Sequence, residues 1–261
     1  MRAFAAVREQ CVLHLRVVAT VFLVASGVLF SCPGRLEANG VDLEFDFRSQ
    51  EILRYRVLIS ETTYKGSLRS TNLYREEMTI QTTSVSGNRA RQLVVCQGSV
   101  MADGGRTQDL GQLRYYVTIG RDGRILSVEG IRPWDERIQE SIWLFQIVLP
   151  GRRVAPGDSW TINDEVFSTA GSGLVPEKRK YTLRDIAIAP GGQQAIIDYT
   201  TSRTGRREGA SFTYMSQGTF HIQGGKVIRL QSSEVLNETG KGENLKVITM
   251  IQVDLIETPV E

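Results

Sequence analysis

The chain has 261 residues, 41% hydrophobic and 23% charged, the profile of an ordinary soluble protein with room for one large domain or two small ones. Its net charge of +2 is concentrated at the front: the first 31 residues hold Arg2, Arg8 and Arg16 against Glu9, leaving 28 basic and 28 acidic residues in the body. A neutral body, with aromatics at 8% and not interleaved with a basic stripe, gives no electrostatic footprint for nucleic acid or for an anionic membrane.

In chain order, the first element is "VVATVFLVASGVLF", Val17 to Phe30, fourteen residues without a charge behind the three arginines. That is the length of a signal-peptide apolar core, short of the ~20 residues a spanning helix needs. "LFSC", Leu29 to Cys32, follows at once and resembles the bacterial lipobox, with Phe30 departing from the usual small or aliphatic residue. The resemblance implies a signal peptide over 1–31, diacylation of Cys32 as the first mature residue, and a tether over 32–40. Two acyl chains hold a protein firmly where one does so only marginally. Pro33 in place of an aspartate then points to the periplasmic face of the outer membrane. The rival reading is ordinary cleavage, with Val28 and Ser31 as the small pair or a site near Ala38, leaving a soluble periplasmic or secreted protein. Cys11 leaves with the leader, so Cys96 stands alone as a small buried apolar residue, and no disulfide framework is expected.

Beyond residue 40 the dominant signal is period-two alternation, the mark of half-buried strands. "VDLEFDFRS" sets Val41, Leu43, Phe45 and Phe47 against Asp42, Glu44 and Asp46, and "LKVITMIQVDLIE" does the same near the end. Hairpin breaks are read at "SGN" 86–88, "DGG" 103–105, "RDGR" 121–124, "PGG" 190–192 and "QGGK" 223–226, where Asp-Gly and Gly-Gly supply positive φ. "MTIQTTSVSGNRARQLVV" from Met78 aligns with "YTLRDIAIAPGGQQAIID" from Tyr181, and "YVTIGRDGRILSVEG" from Tyr116 with "TFHIQGGKVIRLQSS" from Thr219, both at an offset of 103. The expected fold is mainly β: two similar antiparallel meanders, curved sheets or half-barrels, over 41–132 and 151–261.

Between them "PWDERIQESIWLFQIVLP", 133–150, reads as a joining amphipathic helix. Proline and acidic residues stand in its first turn, and Trp134, Ile138, Ile142 and Phe145 form one stripe. Its second half, with Trp143, Leu144, Ile147 and Val148, is apolar nearly all round and needs covering, by the inner face of the sheet or as the wall of an apolar cavity. Trp134, Trp143 and Phe145 are therefore the candidate ligand-binding residues. "FSTAGSGLVPEKRK", 167–180, reads as a long solvated loop.

Catalytic groups are sparse. His221 is the one histidine left after the leader, flanked by Phe220 and Ile222 so that its ring faces the opposite side. No G-x-S-x-G elbow exists for a hydrolase built on it, and a Cys96–His221 dyad would have to join different strands. Asp158 and Ser159 are adjacent and would point apart on a strand. No metal motif occurs, and the acidic row Asp42, Glu44, Asp46 is spaced ~6.8 Å per i, i+2 step, too wide for one calcium without further ligands. No phosphate loop and no cofactor site is read. "LPGRRVAPGDSW", 149–160, is punctuation: Pro150 stops the helix, Pro156 and Gly157 make a turn, and Trp160 enters the next strand facing the core.

Leu149, Pro150, Val154, Gly157, Asp158 and Trp160 form L-P-x-x-x-V-x-x-G-D-x-W, which resembles a motif of uncharacterised exported bacterial proteins of two-repeat β architecture. The resemblance covers about residues 50 to 257 and implies no activity. The expectation is a non-enzymatic cell-envelope lipoprotein with a binding or structural role. In one version its concave sheets hold an apolar or lipid-like ligand, as in the half-barrels of periplasmic lipoprotein carriers; in the other a solid core leaves the outer face for an envelope protein partner. A hydrolase using His221 is the third class.

Overall fold

The computed structural model describes residues 40–103, 105–130, 146–167, 174–207, 210–240 and 244–257. They form thirteen strands: β1 (Val41–Asp42), β2 (Ile52–Lys65), β3 (Leu68–Ser86), β4 (Arg89–Met101), β5 (Thr107–Gly120), β6 (Ile125–Glu129), β7 (Arg153–Val154), β8 (Ser159–Phe167), β9 (Leu174–Ala189), β10 (Gly192–Arg207), β11 (Ala210–Gln223), β12 (Lys226–Thr239) and β13 (Leu245–Glu257). Eleven of them make one antiparallel sheet in the order β6-β5-β4-β3-β2-β13-β12-β11-β10-β9-β8, and β1 pairs with β7. The meander β2–β6 and the meander β8–β13 thus share a single sheet through the β2–β13 ladder. All five glycine-bearing breaks read from the sequence fall between consecutive strands.

The inner face is apolar by alternation. Leu53, Tyr55 and Val57 on β2, Leu183 on β9, Ile197 on β10, Phe220 and Ile222 on β11 and Ile251 and Val253 on β13 join one buried cluster. A flat sheet would leave that face in water, so it must curl or be covered. Six strand spacings separate β5 from β11, ~29 Å in a flat sheet. Yet the amide of Phe45 donates to Arg121 O just past β5 (2.9 Å), and the next amide, Asp46, donates to Gly225 O just past β11 (3.2 Å). The sheet is therefore strongly curled at this end.

Its two edges meet through a strap. Leu149 N donates to Asp122 O in the β5–β6 turn (2.7 Å), and Trp160 Nε1 on β8 donates to Val148 O (2.7 Å). Ile147, Val148 and Leu149 are buried between. Here the expected helix fails at its end: 146–150 are not helical, because their amides and carbonyls bond to sheet turns and side chains instead of to each other. The apolar all-round pattern of 147–149 is that of a strap covered on both sides. The rest of that expectation, with Trp134, Trp143 and Phe145, lies outside the described residues, as does Cys32.

Two other readings change. "VDLEFDFRS" has the expected faces, with Leu43 and Phe45 buried and Phe45 stacked on Phe47, but only Val41 and Asp42 pair as a strand. The segment crosses strand ends instead of running beside a strand, so its bonds go one by one to different turns. Residues 174–180 are not loop: they open β9, with Val175, Glu177 and Arg179 turned inward and buried.

Gly123 shows how tightly the strap closes. Its φ is +82°, and a Cβ there would overlap Ile147 O and press on the Phe45 ring. Gly123→Ala is expected to cost about 2 kcal/mol or more, left-handed strain plus overpacking. Gly87→Ala, at a hairpin tip with open space around it, should cost only about 1 kcal/mol. Urea unfolding of the two variants checks the contrast; equal losses would mean that the strap does not bear on Gly123.

Candidate functional site

Above the apolar floor, the inner face of β9–β12 turns polar. An aromatic row leads into it: Trp160 stacks on Tyr181 (5.4 Å), Tyr181 lies 6.3 Å from Tyr199, and Tyr199 5.1 Å from Phe220. Next comes an ionic layer. Glu177, fully buried, bridges two guanidiniums: Arg179 Nε lies 2.9 Å from its Oε1, in charge contact without hydrogen-bond alignment, and Arg203 Nε donates to its Oε2. Arg179 also donates to Asp164 Oδ2 (2.8 Å), and Arg203 lies over the Tyr214 ring (4.7 Å). Arg179 and Tyr181 both reach Gln146 O (3.4 Å each), which ties the layer to the strap.

Beside this layer is a cavity of about 40 Å³ lined by Tyr199, Ser216, Ser232 and Glu234 among others. That is space for about two or three waters. Burial first pushes the Glu234 carboxyl up from its ordinary range, against the pull of Tyr214, Arg203 and Ser216. Burial likewise raises the Tyr199 hydroxyl to about 12.

The larger space is on the opposite side of the same wall. An open groove of about 730 Å³ crosses β3, β2, β13, β12, β11 and β10 on the outer face. Leu58, Leu73 and Met250 supply apolar surface, and Gln217, Gln231 and Gln252 supply amides. Met250 is 53% exposed next to buried Ile251, which fixes the face it belongs to. Asp198 at one end accepts from Arg184 (3.0 Å) and Thr219 (2.8 Å), and Gln252 donates to Asp254 (2.6 Å). Tyr199 and Ser232 line both the cavity and the groove.

The residues singled out from sequence do not converge. Asp158 Oδ2 accepts from Ala155 N (3.0 Å) and Ser159 Oγ meets Thr182 Oγ1 (2.8 Å): turn and strand-entry roles. His221 lies on the outer face as expected, its Nδ1 3.4 Å from Gln194 Oε1. Partial burial first, then Arg229 and Arg184, hold its imidazole below the usual range. Cys96 is buried on β4, so it and His221 lie on opposite faces of different strands and form no dyad. Glu44 pairs with Arg121 and Asp46 with Arg48, and among the described residues no three His, Cys, Asp or Glu side chains gather as a metal site.

The ionic layer was missed. "LVPEKRKYTL" looks like a basic loop, yet Val175, Glu177, Arg179, Tyr181 and Leu183 keep a strict period of two. Running the strand of "YTLRDIAIA" backwards through the charges would have found it.

Curled antiparallel β-sheet with a packed inner face, a buried ionic layer and an outer groove is thus the class of protein that the described residues define. No family model matches the chain, and no curated protein matches it. Among solved structures it is similar to one concerned with lipid–protein interactions in lipovitellin, with a TM-score of 0.52 and 9% identity over 83% of this chain. The match spans 26% of that lipovitellin chain, and at this identity it speaks for the fold alone.

Proposed function

We propose that this chain is a non-enzymatic binding protein of the cell envelope that holds a lipid-like amphiphile in the outer groove. The groove's size carries the reading: about 730 Å³ is the volume of a typical small-ligand site, with apolar side chains for a tail and amides beside Asp198 for a polar head. On the concave face, where sequence put the ligand, Val57, Leu183, Ile197 and Val253 are fully buried, while Trp134, Trp143 and Phe145 lie outside the described residues. The likeness to lipovitellin supports the same class of ligand. "LFSC" supports export, a lipid anchor on Cys32 and residence at the periplasmic face of the outer membrane. The hairpins β3–β4 and β9–β10, which carry the aligned runs, support an origin by duplication, with 133–150 as the joint.

Native mass spectrometry of the envelope-purified protein is expected to show a co-purifying lipid. A fluorescent long-chain amphiphile should bind the wild type about tenfold or more tightly than Leu73→Asp/Met250→Asp, since covering each apolar side chain with a lipid tail contributes about 1 kcal/mol or more. Equal binding by both, or none by either, overturns the groove reading. The exposed apolar side chain of Met250 on the groove face favours a second reading, a scaffold for an envelope protein; cross-linking to a partner protein through the groove face without bound lipid would select it. Labelling with radioactive palmitate should reach the wild type and not Cys32→Ala, and equal labelling would sink the anchor.

A further inference from the structure

Charges that cancel over the body are sorted by strand register on the outer face. Near the strap end, Arg229, Asp254, Arg56 and Glu77 stand side by side on β12, β13, β2 and β3 and alternate in sign. Arg229 Nε donates to Asp254 there (2.7 Å). Two rows nearer the β2–β3 turn the alternation is gone. That row begins at Lys180 on β9, passes Met250 and Leu73 and ends at Met101 on β4. The next begins at Lys178 and passes Met215, Val235 and Ile248. The one after holds Lys246, Tyr64 and Arg69, whose guanidinium lies 5.8 Å from the Tyr64 ring centroid.

Two properties coincide in these rows. Met215, Met250 and Met101 are 61%, 53% and 40% exposed, an apolar band in water across several strands. Around it Lys178, Lys180, Arg206, Lys246 and Arg69 are exposed, and among the described residues none of them is in an ion pair. Glu165 is the acidic side chain that the described strands add to this part of the face, and Asp103 in the β4–β5 turn is offset by Arg106. Contiguous exposed apolar surface marks an interaction site, and unpaired cations around it select an anionic partner.

We propose that this part of the outer face is a docking surface for an anionic lipid bilayer. A bilayer satisfies both properties at once. Methionine, valine and isoleucine enter the boundary between headgroups and acyl chains, and the long stems of lysine and arginine keep their charges among the phosphates. The face is the convex side of the sheet, so its middle strands sit deepest. Those strands, β11 to β13, carry Met215, Val235, Ile248 and Met250, while Lys178 and Lys180 on β9 and Arg69 on β3 stand to either side. Met215, Val235 and Ile248 do not line the groove, so the inference does not rest on the ligand held there.

The test places a polarity-sensitive dye on Met215→Cys in the full chain carrying Cys11→Ser and Cys32→Ser. The dye should shift to the blue on phosphatidylcholine vesicles containing about 30% phosphatidylglycerol, and not on phosphatidylcholine alone. The same dye on Gln97→Cys, beside Glu77 at the end of the alternating row, should not shift. Attachment through 17–30 is common to both labels and cannot separate them. Salt at about 0.5 M should abolish the Met215 shift, because it screens charges beyond about 4 Å. Lys178→Glu/Lys180→Glu/Lys246→Glu should raise the lipid concentration for half the shift about a hundredfold or more, a factor of about five per cation lost. No shift at Met215, an equal shift at Gln97 or an equal shift on phosphatidylcholine alone overturns the inference. So does a shift as large with polyglutamate in place of vesicles, since the face would then take an acidic polypeptide.

Discussion

Glu177→Leu is expected to destabilise the protein by about 4 kcal/mol or more, the largest effect of any single change in the sheet. Breaking a buried ion pair by removing one partner typically costs ~3–5 kcal/mol, because the other charge stays buried. Here one carboxylate serves two guanidiniums, and its side chain is fully buried while that of Arg179 is 6% exposed. Asp164 still contacts Arg179, but it is 33% exposed. Removing the charges together should do far less harm: Glu177→Leu/Arg179→Met/Arg203→Met replaces the layer with apolar groups of similar length and is expected to recover most of the loss. Lys178→Ala, one residue along on the outer face, should fall within about 0.5 kcal/mol of wild type. Urea unfolding gives all three values. A loss under about 1 kcal/mol for Glu177→Leu would show that water reaches the layer and screens it.

Trp160→Ala is expected to open the seam between the sheet edges at a cost of about 3 kcal/mol. The indole does two things: it stacks on Tyr181, and its N–H satisfies Val148 O in the strap. Large-to-small changes at buried aromatics cost ~3–5 kcal/mol, and Trp160 is only half-buried, so the lower end applies. Trp160→Phe keeps the stack and leaves Val148 O unpaired, and should cost about 1–2 kcal/mol. Hydrogen exchange separates local from global loss. In Trp160→Ala the Leu149 amide, bonded to Asp122 O, should lose protection before the amides of β2 and β13 do. Simultaneous loss across the sheet would mean that the strap is not an independent closure.

Much of the architecture was legible in particular residues. Leu245, Val247, Ile251, Val253 and Leu255 share one face, broken only by Thr249, so β13 could be read directly. Each Gly-bearing break marked a hairpin because a left-handed residue is cheap only for glycine. "GDSW" was legible as turn and strand entry for the same local reason. The strap was not. A run such as Ile147-Val148-Leu149 reads alike whether it is a buried helix turn or an extended segment covered on both sides. β9 was obscured because period-two alternation is usually recognised as apolar against polar, and here the inner positions are Glu177 and Arg179. The groove had no sequence signal, since Leu58, Leu73 and Met250 come from three strands and each alone looks like an ordinary outward residue.

The sequence by itself determined most of the strands, their faces and the glycine-bearing turns, because backbone propensity and side-chain alternation act between near neighbours along the chain. It also carries the "LFSC" signal on which the reading of export and anchoring rests. Only the tertiary structure decided that the meanders share one sheet, that this sheet curls until the β5–β6 turn and β8 meet across the strap, and that Glu177, Arg203 and Glu234 share one wall. Those outcomes depend on strand twist summed over eleven strands and on contacts between residues up to about two hundred positions apart. No local pattern encodes such a sum, and both the buried ionic layer and the groove behind it are set by it.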